Sequence, residues 1–317
     1  MCTLFEKWGE KVKKKLLLLM TMSAAVSLST VTASAQENYI PLRKTFEGKS
    51  CVVEWTRFEP DTVYVKNGDY TIEFTNGSDE IITDEGTFKT KGKTYIENGV
   101  TYISDDATAL CDNLYLYHNA ILDAVQADED EILPLKPIDK SQDKVLVGVW
   151  NKYPDSYPDG QEITTSFGEV WVFLPDELYN WGHTNGYSED MTLRMEQLIG
   201  LPPQKGYTHF TFMWVSPEDL YRPSANPSID TNVGTVDFPE GTDEEYINWY
   251  NGNAEYSYNP HKYPWTRLGY TYDWADNGTE YGLSEYILKK DSKATVEKTV
   301  TNEECFGYIT GVDKADN

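Results

Sequence analysis

Short runs in which apolar and polar residues alternate recur along the chain, and they predict β-strands separated by tight turns. Residues 62–65 and 70–74 alternate on either side of Asn67-Gly68, a dipeptide typical of two-residue hairpin turns. Residues 87–95 predict a polar hairpin, and a short helix is predicted over residues 105–112. The first third of the chain is therefore predicted to be a small β-rich module with short helices.

The second half predicts longer strands and two helices. The strand candidates are residues 145–150, 169–174, 207–215, 267–274, 285–288 and 294–300. One helix is predicted to begin at Ser188 and to end before Gly200, and the other begins at Thr242 with Glu245 three residues on, the spacing of a capping box. Because strands and helices mix without a β-α-β rhythm, the pattern favours an α+β fold.

The beginning of the chain has the pattern of a secretory signal peptide. Lysines at 11 and 13–15 precede the apolar residues 16–26, and Ala33-Ser34-Ala35 supplies small residues for cleavage. The apolar run is short for a membrane span. We therefore expect residues 1–35 to be a signal peptide and the protein to be secreted, with an uncleaved anchor helix as the alternative.

Composition divides the rest of the chain into three parts. Residues 38–118 are the β-rich module, and residues 119–144 contain the acidic run 127–131 followed by Leu133-Pro134-Leu135-Lys136-Pro137. This segment predicts a solvated linker. Residues 145–317 hold seven of the nine tryptophans and predict a larger aromatic-rich domain.

Charge and aromatic content exclude several classes of protein. The chain of 317 residues carries 52 Asp and Glu against 27 Lys and Arg, a net charge of −25. Phosphate groups bind to cationic surfaces, so this balance argues against binding nucleic acid or, after removal of the signal, anionic membranes. An aromatic content of 14 % argues against a disordered chain.

Three cysteines follow the predicted signal peptide, which is an odd number for an oxidising compartment. Cys51 and Cys111 fall in the same module and are the preferred disulfide pair, with Cys305 free. Three unpaired thiols are the alternative. The spacing matches no zinc pattern, and no metal site is predicted.

The first module contains a set of short motifs in a fixed order: Tyr39-Ile40-Pro41-Leu42-Arg43, Phe46-Glu47, Val53-Glu54-Trp55, residues 62–65 with Asn67-Gly68-Asp69, and residues 96–103. With these motifs the module resembles the copper amine oxidase N-terminal-like (stalk) domain of exported Gram-positive proteins. The second copy of the family's opening motif is incomplete here, since Tyr102-Ile103 is followed by Ser104-Asp105-Asp106. The resemblance implies a spacer or adhesive element. It implies no copper and no other cofactor, because the module has no histidine before His118.

One segment of the second part combines charged and aromatic residues. If residues 267–274 form a strand, Arg267 and Asp273 share one face, and Tyr270, Tyr272 and Trp274 share the other. Arg267 and Asp273 would then pair with each other or bind a polar ligand, and the aromatic face would stack on sugar rings. The alternative is that the aromatic face is part of the core.

A second resemblance concerns catalysis. Ser284-Glu285-Tyr286 and the strand and hairpin after it resemble the late glutamate-bearing strand of ADP-ribosyltransferases, which implies that Glu285 contacts a nicotinamide ribose. That family also has an early Arg or His, for which His209 and Arg222 are loose matches, and a Ser-Thr-Ser element that is absent here. The candidate catalytic residues are therefore Glu285 together with Arg267 or His209. His209 alternates with Phe210 and Phe212, which also fits a structural histidine.

No nucleotide-binding, hydrolase or metalloprotease motif is present in the sequence. The leading hypothesis is therefore a secreted or wall-associated binding protein with a carbohydrate or protein ligand. The alternative is a secreted ADP-ribosyltransferase-like enzyme or hydrolase with its site in residues 145–317. The sequence leaves open whether the protein is an enzyme.

Overall fold

The computed structural model describes residues 38–259 and 262–311, so the predicted signal peptide lies outside the described residues. The described residues belong to one compact unit of antiparallel sheets and helices, which confirms the α+β class. Within the described ranges no helix has the length and apolar character needed to cross a membrane.

The N-terminal region contains two antiparallel sheets and two helices. Their elements are β1 (Tyr39–Pro41), α1 (Leu42–Glu47), β2 (Val52–Thr56), β3 (Glu59–Asn67), β4 (Tyr70–Thr75), β5 (Glu80–Thr83), β6 (Gly86–Lys89), β7 (Tyr95–Glu97), β8 (Val100–Ser104) and α2 (Asp106–Ala124). The sheet orders are β2-β3-β4-β5-β6 and β1-β8-β7. Asn67 pairs with Tyr70, which confirms the predicted hairpin. The hairpin predicted over residues 87–95 is wrong, because β6 pairs with β5 and β7 pairs with β8.

Helix α2 covers the core of this region and is much longer than predicted. Phe74 from the sheet and Leu114 from the helix are completely buried in the same cluster. The helix continues to Ala124, beyond the predicted end at residue 112. It continues because Leu110, Leu114, Tyr117 and Ile121 recur at helical spacing and are all buried.

The predicted Cys51–Cys111 disulfide is absent, since Cys51, Cys111 and Cys305 are all free thiols. Cys111 lies on the buried face of α2, and Cys51 packs against the same core. Desolvation raises the pKa of both thiols. Both therefore stay protonated at neutral pH, the form that does not attack another sulfur.

The C-terminal region is built on one eight-stranded antiparallel sheet. Its elements are β9 (Val145–Asn151), β10 (Glu162–Thr164), β11 (Val170–Phe173), α3 (Pro175–Asn185), α4 (Met191–Leu198), β12 (His209–Val215), β13 (Leu220–Tyr221), α5 (Glu244–Tyr258), β14 (Tyr270–Tyr272), β15 (Tyr281–Leu288), β16 (Lys293–Thr301) and α6 (Asn302–Thr310). The sheet order is β10-β16-β12-β9-β11-β15-β13, and β14 pairs with β15. Val147, Met213 and Tyr286 belong to a buried cluster on one face.

Several predicted elements are corrected here. The predicted strand 267–274 shortens to β14, because Arg267 and Gly269 have φ angles of 61° and 89°, which interrupt an extended strand. The shared face predicted for Arg267 and Asp273 is therefore lost. Helix α4 begins at Met191 rather than Ser188, with Asp190 as its cap. Helix α3 was not among the two helices predicted for this part of the chain.

The segment between the two regions packs against the C-terminal region. The amide of Leu135 donates to the carbonyl of Asn232 at 2.8 Å, and that of Ile138 donates to Ile229 at 2.7 Å. Both side chains are buried. The domain boundary between residues 119 and 144 stays a prediction, but Leu135 and Ile138 are not solvated.

Direct hydrogen bonds also join the N-terminal and C-terminal regions. The side-chain amide of Gln204 both accepts from the amide of Lys89 at 2.8 Å and donates to its carbonyl at 2.7 Å. In this way Gln204 occupies the free edge of β6 as a strand would. The hydroxyl of Tyr117 donates to the carbonyl of Lys262.

Gly282 in β15 packs closely against helix α4 and strand β14, and we predict that Gly282→Ala destabilises the protein. A Cβ at this position would lie 2.2 Å from both the Leu198 carbonyl oxygen and the Thr271 hydroxyl. We expect urea denaturation to show a loss of about 2–3 kcal/mol in the free energy of unfolding.

The matched control is Gly252→Ala, in helix α5. No atom lies within 4 Å of a Cβ there, so alanine should increase the free energy of unfolding by about 0.5–1 kcal/mol. Equal effects of the two substitutions would contradict the close approach at Gly282.

Candidate functional site

The eight-stranded sheet splits between β9 and β11. These strands share a single pair, Phe173 with Gly148, although each continues for three residues past it. On their other edges, β9 pairs with β12 over seven residues and β11 pairs with β15 over four. The six residues beyond the shared pair all line one cavity of about 610 Å³. The cavity therefore lies in the split, and its volume is that of a small-molecule site.

A glycine and a phenylalanine define the point where the strands separate. A Cβ on Gly148 would lie 2.5 Å from the Phe173 ring, so the ring packs directly on the glycine backbone. The Phe173 ring also meets Phe210 edge-on at 6.4 Å, and Phe210 stacks on Trp150 at 5.5 Å. These contacts hold the separating strands β9 and β11 in place without a ligand.

The walls of the cavity are aromatic. Twelve of the thirty lining residues are Trp, Tyr or Phe. They come from strands β9, β11 and β14, from helix α5 and from the connecting loops. Trp171 and Trp265 meet edge-on at 6.1 Å inside the cavity. The exposed residues of the lining form the mouth of the cavity: Phe167 is completely exposed, and Tyr153 and Tyr256 are more than half exposed. Rings of this kind, partly open to solvent, offer flat apolar surfaces to a ligand.

Glu285 is the buried acid of the cavity. It lies on β15 opposite Phe173, and its backbone amide donates to the carbonyl of Gly269 at 3.0 Å. Its side chain is 9 % exposed, and its Oε2 is buried without a hydrogen-bond partner. Desolvation raises the pKa of Glu285 to about 8, although the positive charge of Arg222 opposes the shift. Glu285 is therefore mostly protonated at neutral pH and carries an O–H donor.

Two further polar side chains line the cavity. The Nδ2 of Asn253, on α5, is buried without an acceptor. The carboxylate of Glu169 accepts from the hydroxyl of Tyr221 at 2.8 Å and from the indole of Trp249 at 3.0 Å. Buried polar groups normally have partners, so the unpaired atoms of Glu285 and Asn253 are exceptions among the residues that line the cavity.

Arg267 and Asp273, predicted to act together, serve separate structural contacts. The guanidinium of Arg267 donates to the carbonyls of Ala124 and Val125, at 3.3 and 2.5 Å, and thereby binds the C-terminal end of α2. Asp273 is buried in a bidentate ion pair with Arg194, with distances of 2.9 and 2.5 Å. Neither side chain lines the cavity.

The other predicted residues divide between the cavity and the core. Tyr270 and Tyr272 line the cavity, while their hydroxyls donate to Glu280 and Asp123. Trp274 lies away from it, edge-on to Tyr117 at 5.5 Å. His209 begins β12, with its Nδ1 2.8 Å from the Thr208 hydroxyl, and is not part of the cavity lining. Of the three catalytic candidates, the structure places only Glu285 in the cavity.

Sequence patterns did not identify Trp171, Trp265 and Asn253 as residues that line a cavity. Trp171 was included only as part of a predicted strand. The signal available in the sequence was Phe167-Gly168-Glu169-Val170-Trp171, where large aromatic residues flank a glycine at a predicted strand start. Asn253 gives no such signal, because its role depends on where α5 packs.

One carboxylate cluster is close enough to hold a cation. Asp123, Glu131 and Glu280 have oxygens within 4.8 Å of one another, the one such group among residues 38–259 and 262–311. Desolvation, together with neighbouring acids, raises the pKa of Glu131 and Glu280. The cluster lies where α2, the acidic segment and the loop before β15 meet. No observation beyond the acidic residues themselves points to a metal there.

Comparison with known protein families decides the nature of the N-terminal region. Residues 25–109 match the copper amine oxidase N-terminal domain. The match confirms the resemblance expected from the sequence and indicates a non-catalytic accessory domain. No curated protein matches the chain. The copper amine oxidase N-terminal domain ends within α2, so the cavity and Glu285 lie outside the matched residues.

Burial of the neutral Glu285 predicts a specific dependence of stability on pH. Its folded-state pKa of about 8 lies above the ordinary value of 4.5, so its contribution to stability is complete below pH 4.5 and is lost as the pH rises through 8. Glu285→Gln keeps the shape and cannot ionise. Its free energy of unfolding, relative to wild type, should therefore rise by roughly 3–5 kcal/mol between pH 5 and pH 9.

The measurement is urea denaturation of both proteins across this pH range. Burial also raises the pKa of Glu196 to about 7, so wild type and variant share a second slope, and only their difference reports on Glu285. Parallel pH profiles would contradict a buried neutral Glu285.

Proposed function

We propose that this is an exported binding protein whose C-terminal region takes a carbohydrate ring into the cavity of the split sheet. The copper amine oxidase N-terminal domain serves as a spacer or wall-associated element. The pattern of residues 1–35 supports export, and the resemblance of the N-terminal domain to the stalk domains of exported Gram-positive proteins supports a place at the surface of such a cell or beyond it. The observation that carries the ligand proposal is the aromatic cavity that contains two buried, unpaired polar atoms.

A sugar ring is chemically matched to these surfaces. Its C–H faces pack against aromatic side chains such as Trp171 and Trp265, while its hydroxyls need hydrogen-bond partners. The protonated Glu285 and the Nδ2 of Asn253 both donate, so a ring or hydroxyl oxygen that accepts would satisfy them. The pairing would remove two buried unsatisfied groups, each of which costs about 1–3 kcal/mol.

An enzyme acting on NAD is the second candidate, because Glu285 lines the cavity as the resemblance to ADP-ribosyltransferases implied. Such an enzyme cleaves the bond between nicotinamide and ribose, releases nicotinamide and transfers the ADP-ribosyl group to water or another nucleophile. Neither Arg267 nor His209 lines the cavity, and among residues 38–259 and 262–311 no other Arg or His does. The candidate therefore depends on Glu285 alone.

A two-carboxylate hydrolase has less support. Glu169 and Glu285 both line the cavity, but Glu169 lies four residues along the strand from Phe173, the cross-strand partner of Glu285. That offset is about 13 Å along the strand. The hydrogen bonds from Tyr221 and Trp249 hold the Glu169 carboxylate at that end of the cavity.

The carbohydrate proposal predicts that Trp171→Ala weakens glycan binding. A glycan array with the purified protein identifies a ligand, and calorimetry then compares the variants. We expect about a tenfold weaker affinity for Trp171→Ala, because the ring loses one stacking partner. Trp55→Ala is the matched control, since Trp55 is 54 % exposed on the N-terminal domain and far from the cavity lining. Absence of any glycan ligand, or an equal loss in the control, would contradict the proposal.

The enzyme candidate predicts release of nicotinamide when the purified protein is incubated with NAD. Glu285→Gln should lower that rate by about a hundredfold or more, as expected for loss of an essential acid or base. Chromatography of free nicotinamide measures both rates. No release by wild type, or an unchanged rate in the variant, removes this candidate.

A further inference from the structure

Three lysines lie against tyrosines that line the cavity, although the lysines themselves are not lining residues. The pairs, with the distance from Nζ to ring centroid, are Lys152 with Tyr153 at 5.5 Å, Lys205 with Tyr263 at 5.0 Å and with Tyr207 at 5.8 Å, and Lys262 with Tyr256 at 3.8 Å. These distances are within the range of cation–π contacts. Three ammonium groups therefore lie beside the cavity lining, although the chain as a whole is strongly acidic.

Two of the three lysines are linked through a pair of tyrosines. The Tyr256 and Tyr263 rings stack at 6.4 Å, and the Nζ of Lys205 donates to the Tyr263 hydroxyl at 2.7 Å. Lys262 lies against the other ring of this pair, that of Tyr256. Lys152 lies against a third lining tyrosine, Tyr153.

Within the described ranges, none of these three lysines forms an ion pair with a carboxylate. Six other lysines do: Lys49, Lys66, Lys89, Lys140, Lys293 and Lys298. Seven other described lysines also lack an acidic partner, so what distinguishes these three is their position against tyrosines of the cavity lining. Their charge is available to a ligand.

We infer that the carbohydrate bound in this cavity is acidic, with its ring between the aromatic walls and its negative group beside Lys152, Lys205 and Lys262. This inference rests on the proposed function and names the ligand class for the same cavity. A carboxylate, phosphate or sulfate would gain charge-assisted hydrogen bonds from the lysines.

The interior of the cavity accommodates such a ligand. The two carboxyl groups that line it differ in position, because Glu169 is bound to Tyr221 and Trp249 at the exposed end, while Glu285 is buried among the strands. Glu285 and Asn253 offer donors to the sugar oxygens. The anion is expected at the mouth, where solvent lowers the cost of its partial burial.

The test compares a trisaccharide of galacturonic acid with its methyl ester, which has the same rings without the charges. We expect the purified protein to bind the acid about tenfold more tightly in calorimetry, and to lose this preference between about 20 and about 500 mM salt. The triple variant Lys152→Gln, Lys205→Gln, Lys262→Gln should bind both forms equally. The control triple variant Lys66→Gln, Lys91→Gln, Lys93→Gln changes the net charge by the same amount on the N-terminal domain and should keep the preference.

The outcomes separate this inference from the proposed function. Equal affinity of wild type for the acid and the ester, at low and high salt, would overturn the acidic ligand while the carbohydrate function stands. Binding of ADP-ribose that depends on the three lysines, without binding of either sugar, would support the anionic site and overturn the carbohydrate function. Failure of all three probes to bind would overturn both.

Discussion

The packing of the Phe173 ring on Gly148 is the constraint on which the candidate site depends. Phe173 and Gly148 form the single residue pair that joins β9 to β11, and any side chain at Gly148 would collide with the Phe173 ring. Beyond this pair, β9 stays paired with β12 and β11 stays paired with β15, but β9 and β11 no longer pair with each other. A split of this kind removes a short stretch of ladder hydrogen bonds and in exchange creates a cavity inside an otherwise continuous sheet. Aromatic contacts of Phe173 and Trp150 with Phe210 hold the two halves at a fixed separation.

The chemistry of the site follows from what the split buries. Glu285 occupies the middle of β15 and therefore cannot reach bulk water, and the desolvation cost of its charge favours the protonated form. Arg222 is also completely buried, but its guanidinium is taken up by the carbonyls of Lys136, Thr231 and Ser228. The positive charge of Arg222 opposes the rise in the pKa of Glu285, although Arg222 forms no ion pair with it. The cavity thus combines aromatic walls with a neutral acid at Glu285 and a second carboxyl group at Glu169.

Local patterns in the sequence predicted much of the fold but little of the site. The Asn67-Gly68 hairpin and the α+β class depend on alternation and turn residues, which act over a few positions. Helix α2 was underestimated because its C-terminal half, from Asn113 onward, is buried partly against the other region of the chain, where Tyr117 and Ile121 meet Trp274. Arg267 has a positive φ angle and binds the end of that helix. No local sequence pattern reveals either feature.

Glu285 was found in the sequence through a family resemblance, whereas its partners in the cavity were not. Trp171, Trp265 and Asn253 come from a strand, a loop and a helix that are distant in sequence, and they meet only because β9 and β11 separate. Lysines 152, 205 and 262 are equally dispersed. Sites of this kind depend on tertiary packing, and sequence periodicity carries information only about single elements.

The central claim is that Glu285 is a neutral acid facing a ligand cavity inside the sheet. Carbon-13 NMR of glutamate carboxyl groups, with Glu285→Gln used to assign the signal, tests it most directly. The account predicts a titration midpoint near pH 8 that shifts when an acidic trisaccharide is added. A midpoint near the ordinary value of about 4.5, unchanged by ligand, would contradict it.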